Sequence, residues 1–433
     1  MKTMVLDSNK LIKNKRRKAS GALLEGISKK FVLDVLNRLE IGKIILEDAG
    51  ASLHFGSASG SDLVAHIEVL SPAFYVDLMR NGSIGCGESY MWQHWQSSDL
   101  VTLVRVIVLN LHILDGVDSG QSWFRKIATR ALHRLNSNSR TGSRRNISAH
   151  YDLSNEFFMS FLDPSMMYSA AIFPDEHTSL AQASLTKLQH ICNRLQLKPT
   201  DHLLEIGTGW GSMAIFAAKH FGCRVTTTTL SQEQFDYAQA RVREQQLEDR
   251  VELLLEDYRD LKGKYDKLVS VEMIEAVGHE FYESYFQQCS SLLKDDGLMM
   301  LQSICISDQR YEQATQSVDF IQQYIFPGGC LPSNSIIAKH VSVDTDMQVI
   351  GLEDITKDYA LTLAHWRKRF LANTQDYLAQ GLSGEFLRMW DYYLAYCQGG
   401  FTERVIHTTQ TLIAKPKFRD TPTIGSNTQE LVL

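Results

Sequence analysis

The chain has 433 residues, more than one hydrophobic core usually supports, and 44% hydrophobic and 22% charged residues is the composition of a soluble globular protein. Seven scattered cysteines, odd in number and without a C-x-x-C pair, exclude a disulfide scaffold and a zinc cluster and fit a reducing compartment. The net charge is −6, and neither a metal nor a nucleic-acid partner is expected.

In chain order, the polar start "LDSNKLIKNKRRKAS" carries no secretory signal, so a cytoplasmic location is expected. A helical pattern over "FVLDVLNRLEIGKIIL" is followed by strand-like "ASLHFGS" and "AHIEVLS" with glycine turns between them. Tyr90, Trp92 and Trp95 of "YMWQHW" suit either a core or an acyl-facing patch. The apolar stretch 100–116 is interrupted by Arg105 and Asn110, and it suits a packed or amphipathic helix better than a membrane span. Basic residues cluster at Lys13–Lys18 and again between Arg125 and Arg145, with no acid in the second group. Such strips suit either a solvated face or an anionic membrane surface. Residues 133–150 have linker composition.

Beyond 151, strand candidates "HLLEIG", "CRVTTTTL", "VELLLED", "KLVSVEMI" and "LMMLQSICI" alternate with helical windows, the signature of a doubly wound α/β sheet. Ser231 and Gln234 form a capping-box start for one helix, and Gly222 suits the stop of the preceding one. Two aromatic-rich helices near 358–379 and 383–397 precede a last strand, "VIHTTQTLIA", and a loosely ordered tail.

The loop "LEIGTGWGS" lacks the third glycine of a dinucleotide fingerprint, where Ser212 stands, and it lacks a Walker lysine. Its acid-led Glu205-x-Gly207-x-Gly209-x-Gly211 resembles the first motif of class I S-adenosylmethionine (SAM) methyltransferases. Glycines allow a tight turn and close backbone approach, and a carboxylate can meet the amino end of a methionine moiety. The acid usual at the end of the second strand is absent. Thr229 and Gln234 stand there as the groups able to bond a ribose diol.

With "HYDLSNEFF", "LDPSMMYSAAIF", "TLSQEQ", "EDYRDL", "VEMIEAVGHEFYESYF" and "QQYIFPGGCLPS" in order, residues 145–415 resemble the cyclopropane fatty acid synthases. The resemblance implies a class I SAM-methyltransferase, Rossmann-like catalytic domain over 151–418. It also implies a small α+β lipid-associated N-terminal domain (1–120), a basic linker (121–150) and a tail (419–433). SAM would be held by Tyr151, Tyr168, Ser169, the loop Glu205, Gly207, Thr208, Gly209, Trp210 and Gly211, then Thr229, Leu230 and Gln234, with Asp257 and Tyr258 near the adenine. The implied substrate is a cis double bond in a phospholipid acyl chain, reached by peripheral contact with the inner membrane face. A homodimer is implied as well.

Methyl transfer to an alkene leaves a carbocation, which a base must discharge. In the family that base is thought to be bicarbonate, held by two cysteines, a glutamate, a histidine and a tyrosine. Glu275, Tyr359 and Cys397 match three of these positions, whereas Ala170 replaces a cysteine and Gln302 the histidine. Ala276 replaces the histidine that follows the glutamate. Gln302 can donate to an anion but cannot carry a proton, so bicarbonate would bind less firmly or give way to water. A methyl-branched or methylene chain is therefore the alternative to a cyclopropane. A SAM-binding protein without turnover, or a methyltransferase for a small soluble acceptor, fits the retained motifs and apolar segments less well.

Overall fold

The computed structural model describes residues 21–57, 60–113 and 153–421. Both basic clusters, the linker 121–150, Tyr151 and most of the tail lie outside the described residues.

The chain divides into two compact units. One comprises residues 1–135, 316–327 and 363–405, and the other 136–315, 328–362 and 406–433. The division thus assigns 316–327 and 363–405, which the sequence pattern places in the catalytic domain, to the unit of the N-terminal residues.

In the first unit, helix α1 (Ala22–Leu36) precedes strands β1 (Gly42–Asp48), β2 (Ala51–Ser57) and β3 (Val64–Val69). The helical pattern over 31–46 is therefore split: the helix stops at Leu36, and Gly42, at φ 76, opens a strand. β1 pairs antiparallel with β2 and parallel with β3. Helix α2 (Ala73–Met91) breaks at Gly82 (φ 51, ψ −131) and leads to β4 (Trp95–Gln96). Trp95 is buried, with its Nε1 donating to the Cys86 carbonyl at 3.2 Å, so it is core. The apolar stretch forms α3 (Leu100–Leu109), which Asp99 caps and Asn110 stops. The buried Asn110 side chain bonds the backbone of Glu40, Ile41 and Val106. Among the described residues no helix is long and apolar enough to cross a membrane.

In the second unit, α4 (Asn155–Phe161) and α5 (Leu180–Arg194) precede a seven-stranded sheet. Its strands are β5 (His202–Ile206), β6 (Arg224–Thr228), β7 (Val251–Leu254), β8 (Tyr265–Val271), β9 (Leu293–Ile306), β10 (Gln348–Asp354) and β11 (Ile406–Ala414), in the order β10-β11-β9-β8-β5-β6-β7. The five strands β9-β8-β5-β6-β7 run parallel, and β11 runs antiparallel to β9 and β10. Helices α6 (Ser212–Phe221), α7 (Gln232–Glu244), α8 (Tyr282–Leu292) and α9 (Asn334–Asp344) cover it. Successive residues such as Leu203/Leu204, Met300/Leu301 and Leu412/Ile413 join opposite apolar clusters, as expected of strands buried on both faces. The chain winds outward from β5 in both directions, which puts the switch point between β5 and β8, where open α/β sheets bind ligands. Helix α10 (Thr356–Ala372) begins in this unit, and α11 (Gly384–Thr402) belongs to the first.

Candidate active site

At the tip of β5 the loop turns through Gly207 (φ 102), Gly209 (φ 52) and Gly211 (φ 87), values that disfavour any side chain. The Gly207 and Thr208 N–H groups both donate to the Thr228 carbonyl, which ties the loop to β6. Among the described residues a Cβ at Gly209 would meet no atom within 4 Å. A Cβ at Gly211 would come within 3.0 Å of Ala238, so here glycine lets α6 and α7 approach. Trp210 is anchored by its Nε1 donating to Asn155 Oδ1 at 2.7 Å and by ring contact with Phe158. Tyr168 packs on the same Phe158.

Glu205 is buried and accepts from the Thr227 hydroxyl at 2.7 Å. Burial pushes its carboxyl up to about 8 against the pull of Thr227 and Lys187. The Thr227 bond holds the carboxyl of Glu205, the last residue but one of β5, against β6 at the start of the loop. Thr229 donates to Gln234 Oε1 at 3.0 Å, so what this corner offers a diol is the Gln234 amide N–H₂. The Ser231 cap is present, but Gln234 uses its side chain on Thr229. Leu230 lies between them, partly buried. Asp257 is held by the backbone N–H, Nε and Nη2 of Arg259, and Tyr258 stacks edge-on against Tyr285.

One loop further along the sheet, the structure gathers Tyr359, Gln302 and Ala170 around a residue the sequence reading passed over. Glu272 follows β8 directly and sits at φ 50, in the left-handed region that a glutamate rarely adopts. Its Oε1 accepts from Gln302 Nε2 at 2.8 Å and from the Ala170 N–H at 2.9 Å, and its Oε2 accepts from the Tyr359 hydroxyl at 2.8 Å. The Glu272 N–H donates to the Gln302 carbonyl at 2.8 Å. Gln302 on β9 faces Gln410 on β11 in register, and Gln410 Nε2 donates to Gln302 Oε1 at 2.9 Å. That bond fixes the Gln302 amide with its N–H₂ toward Glu272. Burial raises the Glu272 carboxyl above the ordinary range, while Ala170, Gln302, Lys187 and Tyr359 oppose that rise.

Glu275 stands apart from this cage. Its Oε1 accepts from the Ile304 N–H and its carbonyl accepts from Cys330 N, while Oε2 has no hydrogen-bond partner among the described residues. Burial, then the charge of Glu272, pushes its carboxyl up to about 8. Cys397 lies on α11 in the first unit, where burial raises its thiol far above the usual range. Lys187 on α5 is completely buried, with Nζ donating to Ser169 Oγ at 2.7 Å. Burial pushes it down to about 8, opposed by Glu272, Asp163 and Glu205. Of the residues missed from sequence, Glu272 had one legible signal, an acid at a strand tip in a fold that binds there. Lys187 and Gln410 had none, since a single lysine in a helix and a single glutamine in a strand belong to no motif.

A family model described as mycolic acid cyclopropane synthetase matches residues 138–411. The chain belongs to that family. A tuberculostearic acid methyltransferase of Mycobacterium tuberculosis is 38% identical over 342 residues, covering 77% of this chain and 79% of its own. The cyclopropane-fatty-acyl-phospholipid synthase of Escherichia coli strain K12 is 36% identical over 383 residues, covering 88% and 94%. Two solved structures align with a TM-score of 0.59 over 63% of this chain and 98% of theirs. They are the cyclopropane synthase MmaA2 of M. tuberculosis, at 27% identity, and the mycolic acid cyclopropane synthase CmaA1 complexed with SAH, at 29%.

Like the rest of the family, the chain is a SAM-dependent methyltransferase with the class I fold. The open side of Gly209 and the Gln234 amide fit SAM, which supplies a methyl group on a sulfonium. Bicarbonate does not fit, because the donors that remain at its expected place are already spent on Glu272.

Proposed function

We propose that the chain transfers the SAM methyl group to a carbon of the cis double bond in an unsaturated acyl chain of a membrane phospholipid, in a reaction of the cyclopropane synthase type. One observation carries the reading. A Cβ at Gly207 would lie 3.3 Å from the Met273 side chain, so the turn bearing Glu272 forms a wall of the cofactor loop. A place for a methyl donor and a carboxylate able to take a proton therefore adjoin at the switch point of one sheet. The E. coli relative, a cyclopropane-fatty-acyl-phospholipid synthase aligned over 88% of this chain, supports the phospholipid acyl substrate.

SAM is assigned to Tyr151, Tyr168, Ser169, Glu205 to Gly211, Thr229, Leu230, Gln234, Asp257 and Tyr258. Glu275, Tyr359 and Gln302 are assigned to the reacting end, and Cys397 rests on the family correspondence alone. An alkene is a weak nucleophile, so the buried walls act by holding it in place and keeping water from the cation. A cytoplasmic enzyme docked on the anionic inner leaflet through its basic clusters, and dimeric, completes the proposal.

A second reading, a methyl-branched or methylene product, is favoured by Gln302. Its amide is clamped by Gln410 and cannot relay a proton as histidine would. Expression in a bacterial host fed methyl-labelled methionine, followed by mass spectrometry and NMR of the lipids, decides the matter. Label in a ring supports the first product and label in a branch the second. Unlabelled acyl chains overturn the proposal.

A further inference from the structure

The cage around Glu272 is built as an anion site, and its anion is part of the chain. Two N–H donors converge on Oε1 and one O–H on Oε2, the arrangement that would hold a small planar oxyanion. Ala170 carries no side chain beyond its methyl, which leaves room for a carboxylate arriving from β8. The backbone reaches this position only by placing Glu272 at φ 50, a strained conformation over-determined by the bond from its N–H to Gln302.

The geometry points to Glu272 as the resident anion and proton acceptor of this enzyme, standing where relatives would recruit bicarbonate. This deepens the acyl-chain reading and, for its turnover arm, rests on it. Among the described residues both lone-pair directions of Oε1 are taken, whereas Oε2 has one donor and keeps one lone pair. The proton therefore lands on Oε2. In that step a C–H bond of the transferred methyl group breaks, its electron pair joins the methyl carbon to the cationic carbon and closes the ring, and the proton becomes the O–H of Glu272. The neutral carboxylic acid then returns the proton to solvent, and no other reactant is consumed.

The test compares wild type, Glu272→Gly and Glu272→Gln in buffer stripped of carbon dioxide and again with added bicarbonate. Glycine is suited to φ 50, so Glu272→Gly removes the carboxylate and relieves the backbone together. Binding of SAH, measured by calorimetry, serves as the folding control. The wild type is expected to turn over unsaturated phospholipid vesicles equally in both buffers, and to show no binding in a titration of ¹³C-bicarbonate followed by NMR. Glu272→Gly should lose about 100-fold or more in turnover without bicarbonate, bind ¹³C-bicarbonate, and regain at least about 10-fold on its addition. Glu272→Gln, with the cage filled but uncharged, should be equally slow and not rescued. Wild-type dependence on bicarbonate, wild-type binding of it, or a Glu272→Gly enzyme that is fully active or neither binds nor responds to bicarbonate would each overturn the inference. A wild type inert on every unsaturated lipid would instead overturn the acyl-chain reading. The binding titrations would still decide whether Glu272 occupies an anion site.

Discussion

Replacing Tyr359 with phenylalanine isolates one donor of the Glu272 cage. The ring stays and packs as before, and only the hydroxyl bond to Oε2 at 2.8 Å is lost. A hydrogen bond to an ionised group contributes about 1.5–3 kcal/mol, and about 1.4 kcal/mol corresponds to one unit of pKa. Glu272 is already raised by burial, and Tyr359 is among the groups holding it down, so the variant raises it further. The reaction needs the ionised carboxylate and is lost as pH falls through the folded-state value. The acid limb of kcat/KM should therefore move upward by roughly one to two pH units in Tyr359→Phe. Stability changes with the opposite emphasis. The variant leaves an ionised carboxylate short of a donor, so its Tm deficit should be largest at high pH and shrink once Glu272 is protonated in both proteins. The assay is the pH dependence of kcat/KM on unsaturated phospholipid vesicles between about pH 5 and pH 9, with thermal unfolding over the same range. A limb that stays in place while the plateau falls would show that Glu272 is not the group that titrates, and would refute the reasoning.

Other consequences are independent of that cage or act on it from a distance. Asn110→Ala removes four bonds from a buried side chain to the backbone of Glu40, Ile41 and Val106 and should cost roughly 2–4 kcal/mol in denaturant unfolding; a loss within about 0.5 kcal/mol would contradict this. Gly211→Ala places a Cβ 3.0 Å from Ala238 at φ 87, and should weaken SAH binding by about 10-fold or more in calorimetry, with an unchanged Kd counting against the assignment of the loop. Lys187→Met leaves Glu205 and Glu272 without their buried cation, should destabilise by about 3 kcal/mol near neutral pH, and should move the acid limb upward like Tyr359→Phe. An acid limb unmoved by that change would show that Lys187 is packing only.

The parallel strands were legible because each is a short apolar run closed by turn residues, and β5 to β9 fall on the five runs read from sequence. β10 was not, since "QVIGLED" is half exposed and draws its order from pairing with β11. The helical reading over 31–46 failed at Gly42, where a glycine inside a periodic pattern marked the change from helix to strand. In the site, the glycine loop could be read because positive φ restricts residue type. The acid at the reacting end could not be chosen from spacing alone. Glu272 and Glu275 stand three residues apart on one turn, and only the cross-strand register of Gln302 with Gln410 aims the amide at Glu272.

The same register explains how substitutions that read as losses form one consistent site. Ala170 gives up a side chain and contributes its N–H, and Gln302 gives up basicity and contributes a fixed donor, both to a carboxylate the chain itself provides. Around them Glu205 and Glu272 act on the buried cation Lys187, and Glu275 feels the charge of Glu272, so among the described residues these carboxyl groups outnumber that cation. Burial raises each of these acids, and an uncompensated excess of this kind is costly when the site is empty. It is matched to a reaction that brings positive charge in twice, first as a sulfonium and then as a cation on the acyl chain. A carboxylate held by fixed donors, as Glu272 is by Gln302, Ala170 and Tyr359, stabilises both without reorganising. The protein bears the electrostatic cost in the resting state, and the chemistry recovers it at the moment the methyl group moves.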